Sequence, residues 1–308
     1  MLLEDICRKV NEDARAFVTA CEAQFHTKID ALAHAVANDA GERPVVLLSG
    51  PSGSGKTTTS HMIAERLERM GLETHIISMD NYFRTFTEAE TRLFERHELD
   101  LESPDRINNE LLSSQIDAIM RGETVTVPRY DFTTNISHVG DETLRLHRGE
   151  IIIFEGIHAL NPAVIESADD YTSRIYVSVR TRVEHGTEGG RSLLHPSKVR
   201  LARRMIRDRR ERARTFSDVV SLYDSVERGE NLYIMPYKHR ADFDVDTFVP
   251  YELCVYKRFL PENMPAEQVA HPWLSELFDV LRALPALDPA LVPENALIRE
   301  FIGGVIGI

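Results

Sequence analysis

Short apolar runs alternate with segments of helical spacing through the middle of the chain. The runs are typical of buried strands and span residues 44–49, 74–79, 150–156 and 174–179. After the first run, Met62, Ile63 and Leu67 recur at helical intervals. Strands that alternate with helices in this way build a parallel sheet. The pattern therefore predicts an α/β fold, with a mostly parallel sheet and helices on both of its faces.

An apolar seam runs along the first 38 residues. Its members are spaced alternately four and three positions apart, and they are Leu3, Cys7, Val10, Ala14, Phe17 and Cys21. The spacing predicts a helix that packs on the main domain. A helix shared between two subunits is the alternative, so a homo-oligomer is possible. We expect three parts: an N-terminal helical segment (1–40), a main domain (41–260) and a C-terminal helical extension packed on the core (261–308).

The segment Gly50–Thr57 reads G-P-S-G-S-G-K-T and matches the phosphate-binding loop pattern G-x-x-x-x-G-K-[ST]. It lies between a predicted strand and a predicted helix, as such a loop requires. Backbone N–H groups and the helix N-terminus then face an anion, Lys56 reaches the β- and γ-phosphates, and the Thr57 hydroxyl can bind Mg²⁺. The pattern predicts a bound nucleotide phosphate and Mg²⁺; the alternative is a glycine-rich turn without a ligand. The candidate nucleotide-binding residues are Gly50, Ser52, Gly53, Ser54, Gly55, Lys56, Thr57 and Thr58.

Two acidic residues follow predicted strands at the edge where open α/β sheets bind ligands. Asp80 comes directly after the strand at 74–79 and could take a proton from an attacking hydroxyl or help to hold Mg²⁺. A helix N-cap is the alternative role for this aspartate. Glu155 ends the run at 150–156, where a carboxylate can bind Mg²⁺ through water.

A basic run at residues 196–214 contains nine Lys or Arg residues against two acidic ones. Val199, Ala202 and Ile206 recur at helical spacing, so the arginines can lie on the other faces of one helix. We interpret it as a lid whose arginines fold over transferring phosphates. A solvated face and a nucleic-acid patch are the alternatives, although the run lacks the interleaved aromatic residues of the latter.

Composition narrows the classes of function. The 308 residues are 43% hydrophobic and 28% charged, as in ordinary globular proteins. The net charge of −13 argues against general nucleic-acid or acidic-membrane binding. No apolar run approaches the ~20 residues that span a membrane. The three cysteines have neither metal-ligand nor disulfide spacing, so we expect a cytoplasmic protein. We find no N-K-x-D stretch for guanine, which disfavours a GTPase.

These motifs together resemble the uridine kinase and phosphoribulokinase family of phosphate-loop kinases. The resemblance covers roughly residues 44–256, and its motifs are the phosphate loop, Met79–Phe83, Ser103–Asp105, Pro128–Phe132, Phe154–Leu160, Arg203–Arg214 and Tyr237–Asp242. The resemblance implies that Asp80 is the general base, with Lys56, Arg207 and Arg212 on the transferred group. It also implies an acceptor side, which we assign to Asp105, Tyr130, Arg204 and Arg214. Residues 292–304 resemble the C-terminus of a bacterial uridine-kinase-like subfamily.

Two positions depart from the family pattern. Asn135 stands where typical uridine kinases have a histidine near the base, and Ala213 replaces the usual glycine of the lid motif. The resemblance implies an ATP-dependent kinase of a small-molecule hydroxyl, with the 5′-hydroxyl of uridine or cytidine as the expected acceptor. A kinase of a sugar phosphate or of a pantothenate-like alcohol, and an ATP-binding regulatory module without turnover, are the alternatives.

Overall fold

We analysed a computed structural model of the chain, which describes residues 1–96, 98–165, 171–184, 192–260 and 272–304. Short 3₁₀ turns, among them Met79–Tyr82 and Pro104–Arg106, connect several of the longer elements. The helices are α1 (Leu3–Asp39), α2 (Lys56–Arg69), α3 (Glu88–Glu95), α4 (Asn109–Met120), α5 (Pro196–Glu211), α6 (Phe216–Ser221), α7 (Tyr223–Tyr233), α8 (Glu252–Tyr256), α9 (Pro272–Ala283) and α10 (Arg299–Ile302).

Within the described ranges, the strands form one central sheet and three small antiparallel pairs. They are β1 (Val45–Ser49), β2 (Thr74–Ser78), β3 (Val125–Thr126), β4 (Arg129–Asp131), β5 (Ile136–His138), β6 (Thr143–Leu144), β7 (Ile151–Glu155), β8 (Thr172–Ser178), β9 (Val183–Glu184), β10 (Ser192–Leu194) and β11 (Phe243–Asp246). The central sheet has the order β11-β8-β1-β7-β2, and all of its pairs are parallel. This confirms the predicted α/β fold class.

The central sheet is buried on both faces. Along β1, Val46 and Leu48 pack into one core, which also receives helices α1, α2, α5 and α8. Val45 and Leu47 point the other way, into a second core built with α4. Because successive side chains of a strand alternate between faces, a strand covered on both sides must be apolar throughout. That is why β1 and β7 appear in the sequence as continuous apolar runs.

Parallel pairing brings the carboxyl ends of the strands to one edge. Ser78 at the end of β2 pairs with Glu155 at the end of β7, and Leu48 of β1 pairs with the same glutamate from the other side. The chain leaves β1 at Ser49 directly into the phosphate-binding loop and leaves β2 at Ser78 directly into the turn that carries Asp80. The local sequence therefore puts each candidate group at the end of a strand, and the register of the parallel sheet brings these strand ends together at one edge.

The apolar seam of α1 packs on the main domain. Leu3, Val10, Phe17 and Cys21 are buried in the core that also contains α2 and α8. Buried polar contacts join it to the core, including a hydrogen bond of 2.5 Å from the Tyr251 hydroxyl to Glu22. The seam therefore serves packing within the chain, which was the first of the two predicted roles.

Three other local predictions have different outcomes. The polar stretch 133–141 predicts a hairpin or flap, and the antiparallel pair of β4 and β5 forms a hairpin that includes residues 133–138 of it. The apolar run 253–256 predicts a short strand, and this is wrong, because these residues lie within α8 and every residue of that helix is buried. A short apolar run that is buried all round has the same pattern in either structure. The stretch 181–195 is polar and rich in glycine, which predicts a mobile segment. Its two ends pair as β9 and β10, and residues 185–191 lie outside the described part of the chain.

The C-terminal residues return to the sheet's carboxyl edge. Helices α9 and α10 both contact α5, and Leu297 and Phe301 are fully buried. Within the described residues, none of the helices is both long enough and apolar enough to cross a bilayer.

Candidate active site

The phosphate-binding loop fits tightly under the neighbouring strand β8. A side chain at Gly50 would collide with the carbonyl oxygen of Val177, so only glycine is accommodated there. Gly55 is the N-cap of α2, with φ of 85°, and it has no side chain to satisfy the first amides of the helix. The first amides of α2 therefore receive no capping bond from Gly55, and a helix N-terminus of this kind is a favourable position for an anion.

Two arginines of α5 hold the outer side of the loop. Arg200 donates to the carbonyl of Ser52 at 3.0 Å and forms a two-pronged ion pair with Glu230. Arg203, which is fully buried, donates to the carbonyl of Gly53 at 3.2 Å and pairs with Glu252. These arginines thus fasten the helix to the loop.

Thr247 completes the support behind the loop. Its hydroxyl donates to the carbonyl of Ser54 at 2.7 Å, and its own carbonyl accepts from Arg203 at 2.7 Å. The Ser54 hydroxyl is buried, and none of the residues that the structure describes forms a hydrogen bond with it. A buried hydroxyl is costly to leave unsatisfied, so it remains available to a bound group.

Thr57 and Glu155 bring two oxygen donors together at the base of the loop. The Thr57 hydroxyl lies 3.4 Å from Oε1 of Glu155, and Lys56 extends its ammonium to within 3.4 Å of the Pro51 carbonyl. Burial raises the pKa of Glu155 to about 7, and the charge of Lys56 opposes that rise. A cation beside Glu155 would favour its ionised form.

Asp80 lies in the same cluster. Its backbone N–H is capped by the Ser78 hydroxyl at 3.4 Å, which leaves the Asp80 carboxylate itself out of the capping role. Burial raises the pKa of Asp80 above its ordinary value, while Lys56, Arg212 and Arg207 oppose that rise. A carboxylate with a raised pKa among cations is suited to accept a proton.

The second half of the arginine-rich run surrounds a buried aspartate. Asp208 is fully buried, and its carboxylate accepts from Arg207 at 2.7 and 2.9 Å and from Arg214 at 3.5 Å. Burial opposes its ionisation, but Arg207, Arg212 and Arg204 hold its pKa below the ordinary value. Arg212 lies 3.8 Å from the same carboxylate and remains 44% exposed. Asp208 therefore orients the arginines that face Asp80, a role that the sequence did not reveal.

Aromatic side chains form one wall of the cleft. Tyr130 packs edge-on against Phe83 and Phe132, with ring centres 5.5 and 5.0 Å apart. The Tyr130 hydroxyl lies 3.4 Å from the side-chain oxygen of Asn135. The guanidinium of Arg212 lies 6.0 Å from the Phe132 ring, so the hairpin and the end of α5 approach each other. The two motifs are far apart in the sequence and meet at this cleft.

Asp105 and Glu102 occupy different environments in the turn before α4. The Asp105 side chain is exposed, and its carbonyl accepts from Arg84. Glu102 instead packs against Gly229 of α7, where any side chain would collide with it. Its Oε2 atom is buried and has no hydrogen-bond partner among the described residues, and burial raises its pKa to about 7 while Arg204 lowers it. Glu102 is therefore the acid of this turn that faces the cluster, and only its burial identifies it.

Both departures from the family pattern adopt left-handed backbone. Asn135 has φ of 57° and Ala213 has φ of 50°. Asparagine tolerates this region, whereas an alanine there costs roughly 1–2 kcal/mol relative to glycine. The glycine that the family pattern has at position 213 would adopt this backbone conformation without strain in the turn that follows α5. With alanine at this position, the backbone of the turn is strained.

Glu300 of α10 reaches the start of α2. Its Oε2 accepts from the Thr58 hydroxyl at 2.6 Å and from the Thr58 backbone N–H at 3.3 Å. The two residues are 242 positions apart, so no local pattern could have indicated the contact.

Comparison with known proteins gives a consistent group of relatives. The sequence profile of the Phosphoribulokinase / Uridine kinase family matches residues 45–187. A uridine kinase of Lactobacillus helveticus (strain DPC 4571) is 30% identical over 206 residues, covering 66% of this chain and 87% of that protein. A uridine kinase of Staphylococcus haemolyticus (strain JCSC1435) is 29% identical over 199 residues, covering 64% of this chain and 84% of that protein.

Solved structures give more distant similarities. A possible uridine kinase from Bacillus stearothermophilus superposes with a TM-score of 0.44 at 18% identity, covering 72% of this chain and 100% of that chain. A putative fructose transport system kinase from Silicibacter sp. TM1040 has a TM-score of 0.47 at 19% identity, covering 70% of this chain and 98% of that chain.

Proposed function

The chain belongs to the phosphoribulokinase and uridine kinase family of ATP-dependent kinases, and we propose that its acceptor is the 5′-hydroxyl of uridine or cytidine. The observation that carries the proposal is the convergence of Asp80, Lys56 and Arg207 at the carboxyl edge of the sheet, beside the phosphate-binding loop. Phosphoryl transfer needs a group that accepts the proton, a cation that binds the phosphates of the nucleotide, and a further cation that stabilises the phosphoryl group during transfer.

The donor set fits a nucleotide and Mg²⁺. The loop amides and the Ser54 hydroxyl, which has no partner among the described residues, can donate hydrogen bonds to phosphate oxygens. The Lys56 ammonium lies close to the loop, near the Pro51 carbonyl. Thr57 and Glu155 offer a hydroxyl and a carboxylate, and hard oxygen donors are those that Mg²⁺ prefers. When bound, the ion neutralises charge on the transferring phosphate.

The chemical step follows from the positions of the side chains. Asp80 accepts the proton of the acceptor's hydroxyl group while the oxygen of that hydroxyl forms a bond to the γ-phosphorus of ATP. The bond between this phosphorus and the oxygen that bridges it to the β-phosphate breaks, and ADP is released. Lys56, Arg207 and Arg212 stabilise the charge on the transferring group. Phosphoryl transfer needs little more than such positioning and charge neutralisation.

Glu102 favours a neutral, hydroxyl-bearing acceptor. Its buried, unpartnered carboxylate oxygen requires a donor, and sugar hydroxyls are suitable donors. A phosphorylated acceptor at the same place would meet a like charge. Tyr130 and Phe132 supply the aromatic wall against which a base can pack. We assign Arg204, whose charge opposes the raised pKa of Glu102, and Arg214 to the same side of the cleft.

An acceptor panel tests the assignment. The rate of ADP formation from Mg-ATP is measured with uridine, cytidine, purine nucleosides, ribulose 5-phosphate and pantothenate. We expect turnover with uridine or cytidine to exceed the others. Turnover with only ribulose 5-phosphate or pantothenate would show that the enzyme transfers a phosphoryl group to an acceptor other than a nucleoside. ATP binding without turnover would indicate a regulatory module.

The role of Asp80 is tested by Asp80→Asn. The amide cannot accept the proton, so turnover should fall by about 10² or more, while ATP affinity stays nearly intact because the loop amides and Lys56, which the substitution leaves in place, hold the phosphates. Steady-state rates and calorimetric ATP binding measure the two quantities. Asp117→Asn, on α4 away from the cluster, is the control. Unchanged turnover in Asp80→Asn would contradict the assignment of the base.

A further inference from the structure

Residues 292–304 form a docked segment, which we call the C-terminal plug. Several contacts hold it against the nucleotide-binding machinery. Glu300 binds Thr58, Leu297 packs directly against Gly55, and the Phe301 carbonyl accepts from Arg210 of α5 at 2.7 Å. The plug therefore touches the phosphate-binding loop and the arginine-rich helix at the same time.

Glu300 supplies what the loop itself lacks. Thr58 is the third residue of α2, and its N–H is one of the amides that a helix leaves unsatisfied at its start. An N-cap side chain usually accepts from this position. Here the N-cap is Gly55, and the Glu300 carboxylate accepts from both the N–H and the hydroxyl of Thr58 instead.

A bound nucleotide needs the same donors. The amides of a phosphate-binding loop and of its helix cradle the α- and β-phosphates. A carboxylate and a phosphate are both anions, so they cannot share the Thr58 donors without strong repulsion. The position held by Glu300 is thus an anion position of the proposed nucleotide site.

We propose that the C-terminal plug is an autoinhibitory element, in which Glu300 competes with a nucleotide phosphate for Thr58 and must leave before the nucleotide binds fully. The proposal rests on the proposed function in so far as the loop binds a nucleotide. A binding site that is free for only part of the time has an apparent affinity reduced by that fraction.

A structural helix cap is the competing interpretation of the same contact. A cap stabilises α2 and is indifferent to the nucleotide, or even holds the loop in a shape that favours binding. Removal of Glu300 would then leave nucleotide affinity unchanged or weaken it. The plug instead requires that removal tightens nucleotide binding, so the two interpretations differ in sign.

Calorimetric titration of the full chain with Mg-ADP separates them. Glu300→Ala and Glu300→Gln should each tighten ADP binding, by about ten-fold for the alanine variant. Glu294→Ala, at an exposed position of the same segment, should stay within two-fold of the wild type. Equal or weaker ADP binding by the Glu300 variants would overturn the proposal.

Hydrogen exchange gives a second readout on the unmodified protein. Addition of Mg-ADP should speed amide exchange in residues 292–304, because the plug is displaced, and should slow it in the phosphate-binding loop. Slower or unchanged exchange in 292–304 with bound ADP would also overturn the plug. If neither wild type nor Glu300→Ala binds ADP, the proposed function fails as well, whereas equal binding by both leaves that function intact.

Discussion

The two halves of the arginine-rich run use the same residue type for different purposes. In the first half, Arg200 and Arg203 bind carbonyl groups of the phosphate-binding loop and are each neutralised by a buried glutamate. In the second half, Arg207 and Arg212 gather around Asp208 and face Asp80. The first half fixes the loop, and the second is available to a charged group in the cleft.

Distance along the helix explains the difference. Arg200, Arg203, Arg204 and Arg207 fall on one side of α5, because residues three or four apart are neighbours on a helix surface. From 200 to 207 the helix advances about 10 Å, which carries the same face from the loop to the catalytic cluster. The prediction of a lid over 196–214 therefore describes the second half better than the first.

The largest effect should come from breaking the first half. Arg203→Met leaves the fully buried Glu252 carboxylate without its partner, and breaking one side of such a pair costs about 3–5 kcal/mol. Urea unfolding measures the loss in the free energy of unfolding. Adding Glu252→Gln should recover part of it, and Arg209→Met, exposed on the same helix, should cost at most about 0.5 kcal/mol. A loss below about 1 kcal/mol for Arg203→Met would show that the pair does not fasten the loop.

The second half should respond in activity rather than stability. Arg212→Met removes a half-exposed cation that faces Asp80. Removal of a donor that stabilises developing charge costs about 10² in turnover, whereas the free energy of unfolding should change by no more than about 0.5 kcal/mol. Kinetics with Mg-ATP and the preferred acceptor, together with urea unfolding, measure the pair of values. If stability falls and turnover does not, the two halves are not distinct.

Glu102, opposite Arg204, provides the smallest and most specific test. Its pKa is raised from 4.5 to about 7 by burial, so the folded state holds the proton more tightly than the unfolded state. The stability from this group is present below pH 4.5 and is lost as the pH rises through 7. The Glu102→Gln variant has no proton to lose at this position. Above pH 7, its free energy of unfolding should therefore exceed that of the wild type by on the order of 1 kcal/mol.

Thermal unfolding of both proteins between pH 4.5 and 8 measures this gain. The difference between the two curves isolates Glu102 from the other titrating groups, Glu155 among them, since those are common to both proteins. Parallel curves over this range would show that Glu102 titrates as an exposed carboxyl does.

What the sequence could predict was local. The phosphate-binding loop and Asp80 each follow an apolar strand, and Glu155 is the last residue of another. Parallel pairing then brings these strand ends together, whatever lies between them in the sequence. The buried helix at 252–256 was mistaken for a strand because its short apolar run has no distinguishing period.

What the sequence could not predict depends on contacts between distant residues. The partners Arg203 and Glu252 are 49 positions apart, and Thr58 and Glu300 are 242 apart. Neither the composition of the chain nor the spacing of its residues indicates which of its glutamates are buried. Glu102 and Asp105 lie in the same turn, and only the packing of Glu102 against Gly229 distinguishes them.

The most direct test of the account is the identity of the product. Phosphorus NMR follows the wild-type protein with Mg-ATP and uridine. We expect a new phosphomonoester resonance, that of uridine 5′-monophosphate, which grows in step with ADP. Formation of ADP with an equal amount of inorganic phosphate, or no consumption of ATP with any acceptor of the panel, would contradict it.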